Sequence, residues 1–194
     1  MGRPTKEKSL SQKDIIATAI AIVKDEGEAA LGVNRVAREL GITPPSIYKH
    51  LESGSALRRL VALEIWRRFL EFCCDRVKDE VEPAKMLINV AHAARSFARS
   101  HPALFAVMIE MQLHPTDSDC NPILKSILGF YEKVLKPYNF TIIERTHAMR
   151  MLNSAFYGFV AVEKAGLMTL EVSTEASYDV IIKTLIKAIQ YIRD

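Results

Sequence analysis

The sequence predicts an all-α fold of about nine helices, and three observations carry that expectation. Apolar residues recur at helical spacing through almost the whole chain, and no stretch alternates in the manner of a strand. Start signals stand before the apolar runs: Ser11 with Asp14, and Thr141 with Glu144, have the capping-box spacing. Stop signals stand after them, at Gly27, Gly41 and Gly166 and at the prolines between segments. The expected division is a small N-terminal domain, residues 1–55, and a larger helical domain, residues 56–194, with no internal repeat.

The 194 residues are 49% hydrophobic with a mean hydropathy of +0.06, a core-rich composition. No apolar run is long enough to span a bilayer and no signal-peptide core follows Met1, so the expectation is a cytoplasmic protein with no membrane partner. Cys73, Cys74 and Cys120 lack metal spacing, fit a reducing compartment and read as small buried residues. The net charge of +3 is too small to name a partner. Its location says more. Residues 1–13 hold Arg3, Lys6, Lys8 and Lys13 against Glu7, as large an excess as that of the whole chain, so residues 1–10 read as a basic arm.

The first helix opens at Ser11, where Leu10 and Ile15 stand at the positions of a hydrophobic staple. It buries Ile15, Ile16, Ala19, Ile20 and Val23 and ends at Gly27. Residues 32–51, GVNRVARELGITPPSIYKHL, then read as two short helices around a tight turn. Val33, Val36, Ala37 and Leu40 share one face, and Gly41 stands where the backbone must go to positive φ. Thr43 is an N-cap, Pro44 a first helical residue, and Ile42 and Ile47 a second staple. This is a helix-turn-helix, although the spacing alone also fits an ordinary αα-hairpin. The exposed chemistry of the second helix tilts the balance toward the first. Thr43, Pro45, Ser46, Tyr48, Lys49 and His50 offer phosphate or base-edge contacts from about two turns, as a helix in the DNA major groove must. Tyr48 and His50 are assigned to phosphates; Pro45, Ser46 and Lys49 to bases. Arg3 and Lys6 of the arm are assigned to an adjacent minor groove, with a merely solubilising tail as the other reading.

A fourth helix runs from about residue 53 to 80 on Leu57, Leu60, Val61, Ile65, Phe69 and Phe72, with Arg67, Arg68, Arg76 and Lys78 solvated. Pro83 opens a fifth, with Met86, Leu87, Val90, Ala94, Phe97 and Ala98 apolar. After His101-Pro102, ALFAVMIEM is a short, very apolar sixth. HPTDSDCNP is a loop, and Asn121-Pro122 reads as the cap and first turn of a seventh helix ending near Leu135. The eighth, about 141–166, is apolar on two sides: Met149, Leu152, Phe156 and Val160 on one, Met151, Ala155, Gly158 and Val162 on the other. The ninth, about 174–192, repeats this with Tyr178, Ile181 and Leu185 beside Ile182, Ile186 and Ile189. A peripheral helix needs one stripe; two wide ones imply that both sides are covered, most simply by the same helices of a second copy in a homodimer, with one bulky core within the chain as the other reading.

Catalysis finds no foothold. There is no Gly-rich phosphate loop, HExxH or GxSxG, and His50, His92, His101, His114 and His147 form no pair at i, i+4. No catalytic residue, metal ligand or cofactor is assigned.

VARELGITPPSIYKHL closely resembles the DNA-binding signature of TetR-type transcriptional regulators: an apolar-Ala helix, a Gly-apolar-Thr turn and an apolar-Tyr-x-His recognition helix. The resemblance covers about residues 11–57. SAFYGFVAVEKAGLM is similar to the helix-8 signature of one C-terminal subclass, which runs Trp, His-Gly, then apolar-Glu before a glycine. Gly158, Glu163 and Gly166 match, the tryptophan is absent, and Tyr157 stands for the histidine. HPALFAVMIEM agrees with the sixth helix of that subclass. The resemblance implies that the fourth helix links a DNA-binding head to a sensory body. The family usually carries a lysine in the first turn of that helix, where Gly54 stands here. It also implies an effector cavity in the body, for which Trp66, Phe69, Phe97, Phe105, Met108, Met111, Phe130, Met149, Phe156 and Tyr157 are the apolar candidates. Asn153, Tyr157 and His147 are the polar ones. The resulting expectation is a homodimeric repressor, released from a palindromic double-stranded DNA operator by a small, largely apolar effector. A ligand-binding protein with a vestigial head and a helical enzyme using the same cavity are the alternatives.

Overall fold

The computed structural model describes residues 10–192. Among them are nine α-helices: α1 (Gln12–Glu26), α2 (Val33–Glu39), α3 (Pro44–Ile47), α4 (Gly54–Val77), α5 (Pro83–Ser100), α6 (Pro102–Glu110), α7 (Cys120–Leu135), α8 (Ile142–Lys164) and α9 (Thr174–Ala188). Three short 3-10 segments join them, and no strand occurs among the described residues. The fold is all-α, as predicted. The helices group into two compact units. One comprises residues up to 65 with 103–112; the other comprises 66–102 and 113 onward. The first half of α4 belongs to one unit and its second half to the other, and α6 groups with the N-terminal helices.

In the first unit the local signals act as read. Ser11 Oγ accepts from the Asp14 N–H and the Asp14 carboxylate accepts from the Ser11 N–H, so both orphan donors of the first turn of α1 are satisfied. Gly27 (φ +88°) ends α1 and Gly41 (φ +66°) turns α2 into α3, conformations that a Cβ disfavours. Ile15, Ala19, Ile20, Val23, Val36, Ala37 and Ile47 are buried where α1, α2 and α3 pack together. α4 starts behind Ser53, whose Oγ accepts from the Ala56 N–H at 3.0 Å. At Gly54 a Cβ would meet only Val33 Cγ2, at an ordinary 3.7 Å.

The second unit is built around α5, which packs against α7, α8 and α9. Four of its five alanines, Ala91, Ala93, Ala94 and Ala98, are buried and let the neighbouring helices approach closely. Tyr178 of α9 is fully buried and donates its hydroxyl to the Ala91 carbonyl at 2.8 Å. Thr141 and Glu144 form the second capping box, opening α8, and Gly166 (φ +68°) follows its end.

Three local expectations differ from the structure. α3 is a single turn rather than two: beyond Ile47 the chain tightens, the His50 N–H bonding the Ile47 carbonyl at 2.9 Å. α7 begins at Cys120, one residue before the expected cap, because the Asp117 carboxylate, not Asn121, accepts from the N–H groups of Asp119 and Cys120. Cys74 is exposed, while Cys73 and Cys120 are buried. Adjacent residues on a helix point about 100° apart, and only Cys73 faces inward.

Candidate nucleic-acid interface and effector cavity

The turn over residues 43–50 is fixed from beneath. Ile47 is wholly buried and Leu51 nearly so, which pins the turn and leaves Thr43, Pro45, Tyr48 and Lys49 exposed, with Ser46 and His50 half-buried. Tyr48 is 51% exposed, unusual for a large ring with no surface role. Thr43 Oγ1 and Ser46 Oγ lie 3.1 Å apart and share a hydrogen bond, so the Thr43 side chain spans the first turn instead of capping an N–H. Gln12 of α1 donates Nε2 to the His50 carbonyl at 3.1 Å, tying the end of the turn to the start of α1. α1 and α2 are also joined by charge. Arg35 donates Nε to both Glu26 oxygens at 3.0 Å and Nη1 to Glu39 at 2.8 Å. That hydrogen bonding with Arg35 holds the Glu26 carboxyl below its usual range. Arg3 and Lys6 lie outside the described residues.

The second unit encloses a cavity of about 30 Å³. Residues of four helices line it: Trp66, Phe69, Leu70 and Cys73 from α4; Val90 and Ala94 from α5; Ile127, Phe130 and Tyr131 from α7; Asn153, Phe156 and Tyr157 from α8. Of the candidates, Trp66, Phe69, Phe130, Asn153, Phe156 and Tyr157 line it. Phe97 is buried nearby, edge-on to Phe69 and Phe72. Phe105, Met108 and Met111 belong to the first unit, Met149 is half-buried elsewhere on α8, and His147 is exposed. Apolar spacing marks a buried face but cannot say which buried face borders a void. Leu70, Cys73 and Tyr131 went unassigned for the same reason.

The polar groups on the cavity wall are Cys73, Tyr131, Asn153 and Tyr157. Tyr131 donates its hydroxyl to Asn153 Oδ1. Burial holds the Tyr131 and Tyr157 hydroxyls well above the usual phenol range and pushes the Cys73 thiol up to about 12. All three stay protonated at any ordinary pH, and no lining residue carries a charge.

A buried polar cluster around Arg95 was not legible in the sequence. Arg95, on the inner face of α5, is 2% exposed. It donates Nε and Nη2 to the two Glu163 oxygens at 3.1 and 2.6 Å, Nη1 to Glu175 at 2.5 Å and Nη2 to Thr174 at 3.2 Å. Its guanidinium lies 4.8 Å from the Tyr178 ring centre. The last turn of α8 and the first turn of α9 are thereby tied to the middle of α5. Hydrogen bonding to Arg95 holds the Glu163 carboxyl below its usual range. Beside this knot, His92, Glu175 and Asp179 bring one donor atom each within 4.8 Å of one another. That spacing suits a metal, but Glu175 is already engaged by Arg95 and lies 3.6 Å from Arg99. The other metal-like spacing, Glu144-x-x-His147, has its glutamate taken up in capping α8.

The chain thus combines a helix-turn-helix whose second element leaves Thr43, Pro45, Tyr48 and Lys49 exposed with an all-helical unit that holds a cavity. Residues 87–185, about half of the chain, match the family model described as "Tetracyclin repressor-like, C-terminal domain". The chain therefore belongs to the TetR family of transcriptional regulators, whose members bind DNA and small-molecule effectors. It is similar to an HTH-type transcriptional regulator of Mycobacterium tuberculosis, 27% identical over 182 residues that cover 92% of this chain and 79% of that one. Among solved structures, a Rhodococcus protein of unknown function aligns with a TM-score of 0.78 at 16% identity, over 96% of this chain and 98% of that one. A TetR variant from Acinetobacter baumannii, in complex with minocycline, aligns with a TM-score of 0.73 at 17% identity, over 95% and 99%. No helix among the described residues is long and apolar enough to cross a membrane.

Proposed function

We propose that the chain acts as a cytoplasmic homodimer that represses transcription from a palindromic operator and is released by a small, largely apolar effector. The observation that carries this reading is the turn over residues 43–50: anchored by Ile47 and Leu51, it holds Thr43, Pro45, Tyr48 and Lys49 out to solvent. In this reading Tyr48 and His50 grip phosphates, and Pro45, Ser46 and Lys49 face bases. Arg3 and Lys6 enter the neighbouring minor groove. The functional boundary falls after residue 55, before the body at 56–194.

Dimerisation is supported by what α8 and α9 leave outside. Leu152, Phe156 and Phe159 of α8 are buried, while Gly158 and Val162 on its other side are exposed and Met151 and Ala155 half-buried. Val180 of α9 is 62% exposed. A second copy packed on these faces sets two reading heads about one DNA turn apart. The finer resemblance of α8 to the Trp-His-Gly subclass is kept on Gly158, Glu163 and Gly166. Here Glu163 serves the Arg95 knot and Gly166 the positive-φ turn.

Release follows when an effector in the cavity favours a conformer with α4 displaced and the heads out of step with the operator. Unequal affinity for the two conformers is required, and roughly 1–3 kcal/mol of coupling suffices. The test is gel-shift titration at several salt concentrations, with an inverted repeat taken from DNA flanking the protein's own coding region. Binding falls steeply with salt and keeps a sequence-dependent part. Tyr48→Ala weakens it roughly ten-fold at unchanged dimer mass; unaltered affinity in that variant removes the assignment of the turn.

A further inference from the structure

The cavity wall is mostly apolar and wholly uncharged. Trp66, Phe69 and Leu70 are apolar, whereas Tyr131, Tyr157, Asn153 and Cys73 are its polar atoms, and all of these are neutral. Asn153 accepts the Tyr131 proton on Oδ1, which leaves its NH2 group as a donor among the lining residues, with the Tyr157 hydroxyl and the Cys73 thiol as the others. An ionised guest would find no countercharge there and would lose its hydration without compensation. A guest with no polar atom would leave the amide donor buried and unsatisfied. A volume of about 30 Å³ holds roughly two waters, so any effector must part the aromatic side chains to enter. The energy for that comes from apolar area.

We infer that the effector is an uncharged molecule with an apolar body and one hydrogen-bond acceptor, a ketone or ester carbonyl in type, received by the Asn153 amide. This rests on reading the cavity as the effector site. The carbonyl oxygen takes a proton from Asn153 Nδ2 and the hydrocarbon lies against Trp66 and Phe69. Discrimination against the matching acid comes from the absence of any cation in the wall.

Trp66 is the chain's single tryptophan, so its emission reports occupancy in the intact protein. The full chain is titrated with methyl ketones from butanone to dodecanone, and with alkanes and carboxylates of the same carbon number. The best ketone binds about ten-fold tighter than its alkane and at least about a hundred-fold tighter than its carboxylate. Asn153→Leu erases the advantage over the alkane while alkane affinity holds; Tyr131→Phe keeps it. If Asn153→Leu fails to fold, the double variant Asn153→Leu with Tyr131→Phe, which strands no hydroxyl, replaces it. A carboxylate bound as tightly as the ketone overturns the neutral class, and a ketone advantage that survives loss of the amide overturns the role of Asn153. Silence of Trp66 toward all three series, with operator binding intact, overturns the effector reading of the cavity and this inference with it.

Discussion

Arg35 in the first unit and Arg95 in the second are each gripped by two glutamates, yet the two arrangements sit in different solvents. The Arg35 side chain is 21% exposed and its partners Glu26 and Glu39 are 42% and 52% exposed. The Arg95 side chain is 3% exposed, Glu163 18%, and two aromatic rings lie against the guanidinium. Water competes for every bond in the first group and salt screens its charges; in the second, water reaches Glu175, which is 56% exposed, but little of Arg95 or Glu163. Burial therefore decides what the same chemistry does. On the head the triad trims the approach of α1 and α2, while in the body it determines whether α5, α8 and α9 stay together.

Substitutions can break that contrast. Arg95→Ala strands Glu163 in a largely dry site and should cost about 3 kcal/mol, read as a lowered denaturant midpoint; a midpoint near wild type would make the two triads equivalent. Acid gives the next effect. Because Arg95 lowers the folded-state pKa of Glu163, its stabilisation is complete above the ordinary carboxylate pKa of about 4.3. It is lost as pH falls through the lower folded value. The acid limb of a stability-against-pH curve should accordingly be flatter in Glu163→Gln, and superimposable limbs would deny the pair any part in it. Tyr178→Phe removes the hydroxyl from the Ala91 carbonyl and should cost about 1 kcal/mol without changing the pH profile. Smallest of all, Arg35→Ala should leave the midpoint within experimental scatter at physiological salt, and a large loss there would show that exposure misjudges the head.

What could be read beforehand follows the same division between near and far. The capping boxes of α1 and α8, the turns at Gly27, Gly41 and Gly166, and the buried faces of α1, α2 and α5 are local: partners lie within four residues, and backbone geometry forces them. The exposed turn at 43–50 was legible because Ile47 and Leu51 claim its inward side. Arg95 was not, since Glu163, Thr174 and Glu175 lie 68, 79 and 80 positions away, and a lone arginine on an alanine-rich helix looks like any solvated charge. The cavity was half legible. Aromatic residues of α4, α7 and α8 pointed to it, but Cys73 and Leu70 reveal themselves only when four helices are set side by side. Met108 of α6 and Met111 just beyond it share the apolar signature but belong to the other unit.

Gly54 has a consequence of its own. The position opens α4 in the head, lacks the lysine usual in the family, and has open space around a prospective Cβ apart from Val33 at an easy distance. Nothing in the packing therefore enforces the missing charge. A side chain added here should be accepted without repacking the first unit, so under the proposed operator reading a lysine at this position strengthens binding while the architecture stays put.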